Sequence, residues 1–280
     1  MEEFTLIMTR YDEENTLVKK SLVSLSKQKF VKIRVLFLDQ ILDNDIKLFC
    51  DEISNNNIIF EYVKIKKVGL SYAKNYGLKL CKTNLVLFYD PDQFACDTWA
   101  NELYVGMRKF GACCSSGSTF PVWEKSPLLI SNSNLIKEFY SIKCYGVDYK
   151  EDSMFFGGNV LFDLNFFNGK LEFPENLGRQ NGTLLSGEDS YVSNQIFDMG
   201  QKMIYCGKAK VQHFISSNRI SYFWVFRRVF AGGYGKALRK KLPRQLTRRT
   251  KVDYLVILLI LPSYFSGFLL GYIKSFKVLK

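Results

Sequence analysis

The amino-acid sequence predicts an α/β fold in which a mostly parallel sheet is flanked by helices and followed by a basic and hydrophobic helical tail. The first observation is that short apolar runs alternate with segments of helical periodicity near the N-terminus, which is typical of βαβ units. The second is that several of these runs end in aspartate. The third is that positive charge gathers near the C-terminus, next to a long uncharged segment.

Four apolar runs near the N-terminus have the length of strands, and the segments between them place apolar residues at helical spacing. The strands are predicted at residues 4–9, 33–39, 58–63 and 85–92, and the helices at 17–25, 45–53 and 69–80. Parallel strands share one direction, so the residues at their carboxyl ends, here Asp39 and Asp90, lie at one edge of the sheet. Ligands of open α/β sheets bind beyond that edge. We therefore expect a binding site near these two aspartates.

The fourth strand is apolar on both faces and ends in Asp90-Pro91-Asp92. A run of this kind is typical of a buried strand in a parallel sheet. Two carboxylates projecting from its end suit Mg²⁺ or Mn²⁺, because these cations bind substrate phosphates through one or two protein carboxylates. A turn that closes the strand accounts for the same residues, since Asp and Pro are ordinary turn residues.

Charge divides the chain into a mildly acidic part and a strongly basic tail. From Lys208 onward there are 16 Lys and Arg residues and one acid, Asp253. Such a tail fits an anionic membrane surface or nucleic acid, and nucleic acid has the weaker support because the basic residues lead directly into an apolar segment. The seven cysteines lack a C-x-x-C pair, and the N-terminus lacks the basic region of a signal peptide. Both features predict a cytosolic setting for the N-terminal part.

The middle of the chain is harder to interpret. Residues 111–118 are predicted to form a strand that enters a loop, whereas residues 132–143 fit either a helix or an extended segment. Gly157-Gly158-Asn159 precedes an apolar run. Glycines allow a backbone to approach a ligand closely, although a simple tight turn explains the same residues.

Ionisable residues recur after this segment. Glu188 and Asp189 begin a predicted helix, where the helix dipole favours acids. His213 is the only histidine, and a lone histidine is more often structural than a ligand. Arg219, Arg227 and Arg228 follow, and a guanidinium binds phosphate oxygens bidentately. The alternative for these arginines is a solvated basic helix face.

Several of these segments together match a known order of motifs. They are Met8-Thr9-Arg10-Tyr11-Asp12, Gly69-Leu70-Ser71-Tyr72-Ala73-Lys74-Asn75-Tyr76-Gly77, Asp90-Pro91-Asp92, Gly157-Gly158-Asn159 and Glu188-Asp189. In this order they resemble the family 2 glycosyltransferases with the GT-A fold, from about residue 4 to 233. The resemblance implies a metal-dependent, inverting transfer of a sugar from a nucleotide-sugar.

The resemblance also implies a role for each matching position. The nucleotide would be contacted by Thr9, Tyr11, Asp39, Lys74 and Asp90, with Asp90 toward the ribose. The cation, Mn²⁺ or Mg²⁺, would be bound by Asp92 and His213. The donor sugar and the acceptor would contact Gly157, Gly158, Asn159 and Glu188, and the diphosphate would contact Arg219. Asp189 would be the general base, since inverting transfer needs a carboxylate that takes the proton of the acceptor hydroxyl.

Three positions depart from the family pattern. Asp12 stands where Asn is usual, Lys74 where Arg is usual, and Gln40 where a second Asp often follows Asp39. These differences leave the preference for base and sugar open.

The tail predicts attachment to a membrane. Residues 236–251 include eight basic residues and no acid, and residues 254–273 carry no charge. A helix of that length spans about 30 Å, enough for the hydrocarbon core of a bilayer. The positive-inside rule then puts the basic run in the cytoplasm. Because Lys274, Lys277 and Lys280 make the other flank basic too, a helix that lies in the interface is the alternative.

From these features we predict a catalytic domain at 1–215, with a nucleotide-binding half at about 1–100 and an acceptor half at about 101–215. Basic juxtamembrane helices follow at 216–251, and a transmembrane or interfacial helix at 252–276. The predicted function is a membrane-associated inverting glycosyltransferase. It would use a nucleotide-sugar, in the first place a UDP-sugar, and a lipid-linked or growing cell-surface glycan as acceptor.

Two other functions are compatible with parts of the sequence. A sugar nucleotidyltransferase also combines an α/β sheet with carboxylate-bound Mg²⁺, but it would be expected to have a glycine-rich loop after the first strand, and Thr9-Arg10-Tyr11-Asp12 has no glycine. A non-catalytic membrane-bound binding protein would use only the basic tail. Release of free UDP in the presence of Mn²⁺ separates these functions.

Overall fold

The computed structural model describes residues 1–180, 182–239 and 251–277. The strands are β1 (Glu3–Arg10), β2 (Lys32–Asp39), β3 (Ile58–Lys64), β4 (Leu85–Tyr89), β5 (Gln93–Ala95), β6 (Cys114–Trp123), β7 (Tyr149–Asp152), β8 (Asn159–Asp163) and β9 (Met203–Ile215). The helices are α1 (Asn15–Ser26), α2 (Asn44–Ile53), α3 (Leu70–Leu80), α4 (Trp99–Lys109), α5 (Asn134–Phe139), α6 (Glu188–Asp198), α7 (Tyr222–Arg239) and α8 (Lys251–Lys277). The predicted α/β fold with a C-terminal apolar helix is confirmed.

The strands form one sheet with the order β3-β2-β1-β4-β8-β6-β9-β5, and β7 pairs with β9. The first four strands of this order are parallel, as their alternation with helices predicts. The other half is mixed, because β8 runs antiparallel to both β4 and β6 while β6 and β9 are parallel. Apolar runs in a sequence indicate strands but not their direction, so this mixture was not predicted.

Helices cover both faces of the sheet, which is why its central strands are apolar on both sides. On one face, Leu6 and Leu87 pack in a core with residues of α1, α2 and α4. On the other face, Ile7 and Phe88 pack with residues of α3 and α6. All five residues of β4 are buried.

The strand predicted at 85–92 ends at Tyr89, and Asp90, Pro91 and Asp92 form a turn into β5. Strand β5 pairs antiparallel with β9, so that Gln93 lies opposite His213. This pairing brings the only histidine next to Asp92. The region predicted as helical or extended, 132–143, contains the short helix α5.

Helices α7 and α8 pack side by side with their axes in the same direction. The Ser263 hydroxyl donates to the Phe226 carbonyl oxygen at 2.8 Å, and one turn further on a Cβ added to Gly267 would overlap the carbonyl oxygen of Phe230. Within the described residues α8 is the one helix whose length and composition suit a membrane span, with mean hydropathy 2.0 over its most apolar 18 residues within 252–275. Residues 240–250 of the predicted basic run lie outside the described residues.

Candidate active site

The register of the parallel strands brings the predicted aspartates to one sheet edge. Arg10, the last residue of β1, lies opposite Asp39, and Met8 lies opposite Tyr89. Asp90 therefore follows β4 beside the end of β1. The prediction of a shared edge is confirmed.

Asp92 is held by two basic side chains. Its Oδ2 lies 3.3 Å from Nε2 of His213 and 3.2 Å from Nη1 of Arg219. Burial raises the pKa of Asp92, but the charges of His213 and Arg219 outweigh it and hold the pKa well below its usual range. Asp92 is therefore an anion enclosed by the protein.

The chemistry of His213 and Asp92 fits a divalent cation. Nδ1 of His213 donates a hydrogen bond to the Tyr140 carbonyl oxygen at 3.0 Å, so that whenever the ring is neutral the lone pair of Nε2 faces Asp92. A cation between the two would be attracted by both. In the described part of the chain no group of three or more His, Cys, Asp or Glu residues could hold a metal ion. Further ligands would then be substrate phosphates and water, as is usual for Mg²⁺.

Asp90 also lines the cleft, and its carboxylate is packed against a glycine. Burial, together with the charge of Asp92, raises the pKa of Asp90 to about 6. A Cβ added to Gly158 would overlap the Asp90 carboxylate, so that only glycine allows this approach. Gly158 therefore contributes a bare backbone surface next to the carboxylate.

The candidate base, Asp189, lies at the start of α6 and has both carboxylate oxygens hydrogen-bonded. Nζ of Lys74, from α3, lies 3.0 Å from its Oδ1, and the backbone N–H of Gly157 donates to its Oδ2 at 2.8 Å. A Cβ added to Gly157 would overlap Nζ of Lys74. A helix, a loop and a helix N-terminus thus converge on one carboxylate.

Glu188 is more enclosed than Asp189. Its Oε2 accepts the backbone N–H of Gly187 at 2.9 Å, and its Oε1 lies 3.9 Å from Nζ of Lys74. Burial and the charge of Asp189 raise the pKa of Glu188. Of the two acids, Asp189 is therefore the more exposed and the better placed to receive a proton from a substrate.

One cleft of about 1420 Å³ unites most of the predicted site. Among the predicted residues, it is lined by Thr9, Tyr11, Lys74, Asp90, Asp92, Gly157, Glu188, Asp189, His213 and Arg219. The cleft begins at the carboxyl edge of the parallel strands and continues to α7 and α8.

Three predicted residues, Asp39, Gly158 and Asn159, are not part of the cleft lining. The fully buried carboxylate of Asp39 accepts hydrogen bonds from Tyr62 Oη at 2.6 Å and the Ile41 N–H at 3.0 Å. The amide of Asn159 accepts from Trp99 Nε1 at 2.8 Å and donates to the Ser118 carbonyl oxygen at 3.0 Å. Neither side chain lines the cleft, so direct contact with a ligand stays a prediction that this geometry does not favour.

Sequence reasoning missed Arg179 as a site residue and left Arg228 unassigned. Both line the cleft with Arg219. Desolvation and the charge of Arg219 lower the pKa of Arg179, and burial with the charge of Arg179 lowers the pKa of Arg228 to about 10. Arg179 lies in a loop without periodicity, and the glycines at 178 and 182 were the one signal for it.

Comparison with known proteins identifies the family. The model of glycosyl transferase family 2 matches residues 5–168, more than half of the chain. The chain belongs to this family. The resemblance inferred from the motifs is confirmed, and this glycosyltransferase assignment favours glycosyl transfer over nucleotidyl transfer and over binding without catalysis.

Relatives and a solved structure agree with this assignment. The chain is 24% identical over 230 residues to the glycosyltransferase GlyA of Streptococcus pneumoniae serotype 4, covering 80% of this chain but only 32% of that protein. It is 21% identical to the glucosyl-dolichyl phosphate glucuronosyltransferase of Haloferax volcanii, covering 83% and 74%. The mannosyltransferase PcManGT of Pyrobaculum calidifontis, solved with GDP-Man and Mn²⁺, is 16% identical with a TM-score of 0.61, covering 94% and 73%. At this identity the structure supports the fold alone.

Proposed function

We propose that this family 2 glycosyltransferase is a membrane-associated inverting enzyme. It moves a sugar from a nucleotide-sugar to a lipid-linked or growing cell-surface glycan. The first candidate for the donor is a UDP-sugar. The observation that carries the proposal is that a single cleft contains Asp92 with His213 at one place and Asp189, held by Lys74 and Gly157, at another. Such a cleft can hold a leaving diphosphate and an attacking hydroxyl at the same time.

Donor binding uses the sheet edge. Thr9 and Tyr11 contact the nucleotide at the end of β1, and Asp90 faces the ribose. Asp92 and His213 would hold Mn²⁺ or Mg²⁺, which would supply positive charge that stabilises the leaving diphosphate. The PcManGT structure, which contains Mn²⁺, supports this cation. Arg219 adds a second positive charge for the diphosphate once the guanidinium has moved away from Asp92.

Acceptor activation uses Asp189. The carboxylate takes the proton of the acceptor hydroxyl as that oxygen attacks the anomeric carbon, and the bond to the diphosphate breaks in the same displacement. Lys74 and the Gly157 N–H stabilise the ionised carboxylate before the reaction. Attack from the face opposite the leaving group inverts the anomeric centre.

Attachment to the membrane rests on α8. The exposed faces of this helix are apolar over most of their length, with Leu255, Leu258 and Phe265 well exposed. The name of the Haloferax relative includes glucosyl-dolichyl phosphate, which supports an acceptor linked to a lipid. A catalytic domain on the cytoplasmic side, where nucleotide-sugars are made, agrees with the basic residues that precede α8.

The test is nucleotide release by the purified chain with a panel of UDP- and GDP-sugars, a lipid-linked acceptor, and either Mn²⁺ or EDTA. Wild-type protein is expected to release the nucleoside diphosphate only with the cation. Asp189→Asn is expected to lower the rate by 10²-fold or more while donor binding, measured by calorimetry with Mn²⁺, is kept. Near-normal turnover of Asp189→Asn would overturn the base assignment, and release of pyrophosphate from a nucleoside triphosphate would indicate nucleotidyl transfer.

A further inference from the structure

The cleft does not end at the catalytic carboxylates. It continues along α7 to α8, where its lining changes from charged to apolar. We call this part of the lining the apolar wall, and it consists of Phe223, Trp224, Ile257, Ile260, Leu261 and Tyr264. The base and the sugar of a nucleotide-sugar can stack on the aromatic residues of the wall. Neither needs the aliphatic surface of Ile257, Ile260 and Leu261, so the wall points to a second ligand.

Arg228 lies where the charged and apolar parts of the cleft meet. One guanidinium nitrogen, Nη1, donates to the Leu184 carbonyl oxygen at 2.9 Å. Nε is buried and has no hydrogen-bond partner. Because Arg228 lines the cleft, the accessible part of its guanidinium can bind an anionic ligand there.

The charges around Arg228 agree with an anion at this place. Arg179 and Arg219 both lower the pKa of Arg228 through repulsion, although Glu188 and Asp189 oppose them. Lys236, about two turns further along α7, also lines the cleft. The diphosphate of a donor bound near Asp92 would be contacted by Arg219, which leaves Arg228 and Lys236 for another anion.

We propose that Arg228 and the apolar wall form the subsite for the phosphate linker and adjoining lipid chain of a lipid-linked acceptor. The phosphate binds the guanidinium of Arg228, and the lipid chain lies against the apolar wall formed by α7 and α8. The acceptor sugar then reaches toward Asp189. This subsite rests on the proposed function, because it presumes that Asp189 activates a hydroxyl of the acceptor.

The arrangement of the helices explains how a lipid could enter. Leu261 of the wall is exposed, and it lies on the same turn of α8 as the exposed residues Leu258 and Leu259. The wall is thus continuous with the apolar surface that would contact the bilayer. A free phosphate would use Arg228 but not Ile257 or Leu261, so the apolar residues favour a phosphate that carries a lipid.

Binding of three probes to the full chain in neutral-lipid nanodiscs tests the proposal. The probes are farnesyl phosphate, farnesol and inorganic phosphate. Binding is followed by tryptophan fluorescence, to which Trp224 of the wall contributes, in the presence of EDTA and without donor. Protein-free nanodiscs serve as the blank. Wild-type protein is expected to bind farnesyl phosphate at least tenfold more tightly than either other probe. Arg228→Gln is expected to remove this preference, and Arg228→Lys to restore part of it.

Lys274→Gln is the matched control, since it removes a positive charge from α8 at a side chain that stacks on Tyr234 outside the cleft. It should bind farnesyl phosphate as wild type does. Equal binding of farnesyl phosphate and farnesol, or an unchanged preference in Arg228→Gln, would overturn the subsite. Inorganic phosphate binding as tightly as farnesyl phosphate would show a free-phosphate site and also overturn it.

The same preparation separates this inference from the proposed function. If nucleotide release depends on the cation but the protein shows no preference for farnesyl phosphate, the subsite is wrong and the transferase assignment stands. If the protein shows neither cation-dependent nucleotide release nor a preference for farnesyl phosphate, the proposed function is wrong. If Arg228→Gln does not fold, the comparison of the three probes on wild type and on Arg228→Lys still decides the question.

Discussion

The ammonium group of Lys74 lies 3.0 Å from the carboxylate of Asp189, although the two residues are 115 positions apart in the chain. Lys74 is almost fully buried, and its Nζ also lies 4.7 Å from the centre of the Phe173 ring. Burial lowers the pKa of Lys74, but the charges of Asp189 and Glu188 outweigh it and raise the pKa. A charged lysine is therefore fixed against the candidate base.

This contact gives a first prediction, that Lys74 holds the Asp189 carboxylate in position. Lys74→Met should lower kcat by about 100-fold, the range of a general-base contribution, with little change in the donor KM. The loss in kcat should persist across the pH range, because methionine cannot hold the carboxylate in position. Lys74→Arg, which restores the residue usual in the family, should keep most of the activity. Steady-state kinetics of nucleotide release between pH 5 and 9 measure all three quantities.

The opposite kinetic pattern would favour the role implied by the resemblance. If Lys74→Met raises the donor KM and leaves kcat and its pH profile unchanged, then Lys74 contacts the nucleotide and not the base. The distinction follows because uniform binding affects KM alone, whereas an interaction needed only in the transition state affects kcat.

A second prediction concerns the cation. Asp92→Asn should abolish Mn²⁺-dependent binding of the nucleoside diphosphate, since it removes the charged ligand. His213→Gln should raise the Mn²⁺ concentration for half-maximal binding by about tenfold or more, in the range found when groups that support a metal site are changed. Calorimetric titration of nucleotide at several Mn²⁺ concentrations measures both effects.

Arg219→Gln is the control for this pair, because Arg219 contacts the same oxygen of Asp92 but cannot bind a cation. It should weaken donor binding while the dependence on Mn²⁺ is retained. An unchanged Mn²⁺ requirement in His213→Gln would mean that His213 only ties β9 to the Tyr140 carbonyl oxygen.

The sequence predicted the parallel half of the sheet and the edge shared by Asp39 and Asp90, because these depend on local periodicity and strand direction. It did not predict that Asp39 would be enclosed. That outcome depends on the register of three strands, which places Tyr62 of β3 and Arg10 of β1 on either side of it. The enclosure of Asn159 has the same origin, since Trp99 reaches it from α4.

The contact between α7 and α8 was beyond sequence reasoning for a different reason. Hydropathy predicted a transmembrane or interfacial helix at 252–276 without indicating a partner helix, because helix pairing depends on which residues are small at the crossing point. Gly233 and Gly267 are in contact with the backbone of the opposite helix. The basic residues before α8 gave no indication of this contact.

A third prediction follows from that contact. Gly267→Leu should separate α7 from α8 and lower the melting temperature of the chain in nanodiscs by several degrees, because its side chain would occupy the position of the Phe230 carbonyl group. Ser266→Ala is the control, since Ser266 is exposed and its hydroxyl donates only to the Pro262 carbonyl oxygen. Equal melting temperatures for Gly267→Leu and wild type would mean that the two helices do not pack in this way.

The last prediction concerns Glu13, which lines the cleft near Asp92. Burial, together with the charge of Asp92, raises the pKa of Glu13 from 4.5 to about 7. Below pH 4.5 Glu13 is protonated in both the folded and the unfolded chain, so its titration does not change the free energy of unfolding. Between pH 4.5 and 7 the folded chain holds a proton that the unfolded chain has released, so the free energy of unfolding falls as pH rises. Above pH 7 this loss is complete.

Glu13→Gln removes this titration, and its amide oxygen can still accept the backbone N–H of Tyr11. The variant should therefore gain stability relative to wild type as pH rises from 5 to 8, measured by urea unfolding in EDTA. Glu14→Gln, at the exposed neighbouring position, should follow the wild-type curve at both pH values. Parallel curves for wild type and Glu13→Gln would mean that Glu13 titrates as an ordinary surface acid. Adding Mn²⁺ should reduce the difference in the free energy of unfolding between wild type and Glu13→Gln. A cation at Asp92 cancels the negative charge that disfavours ionised Glu13.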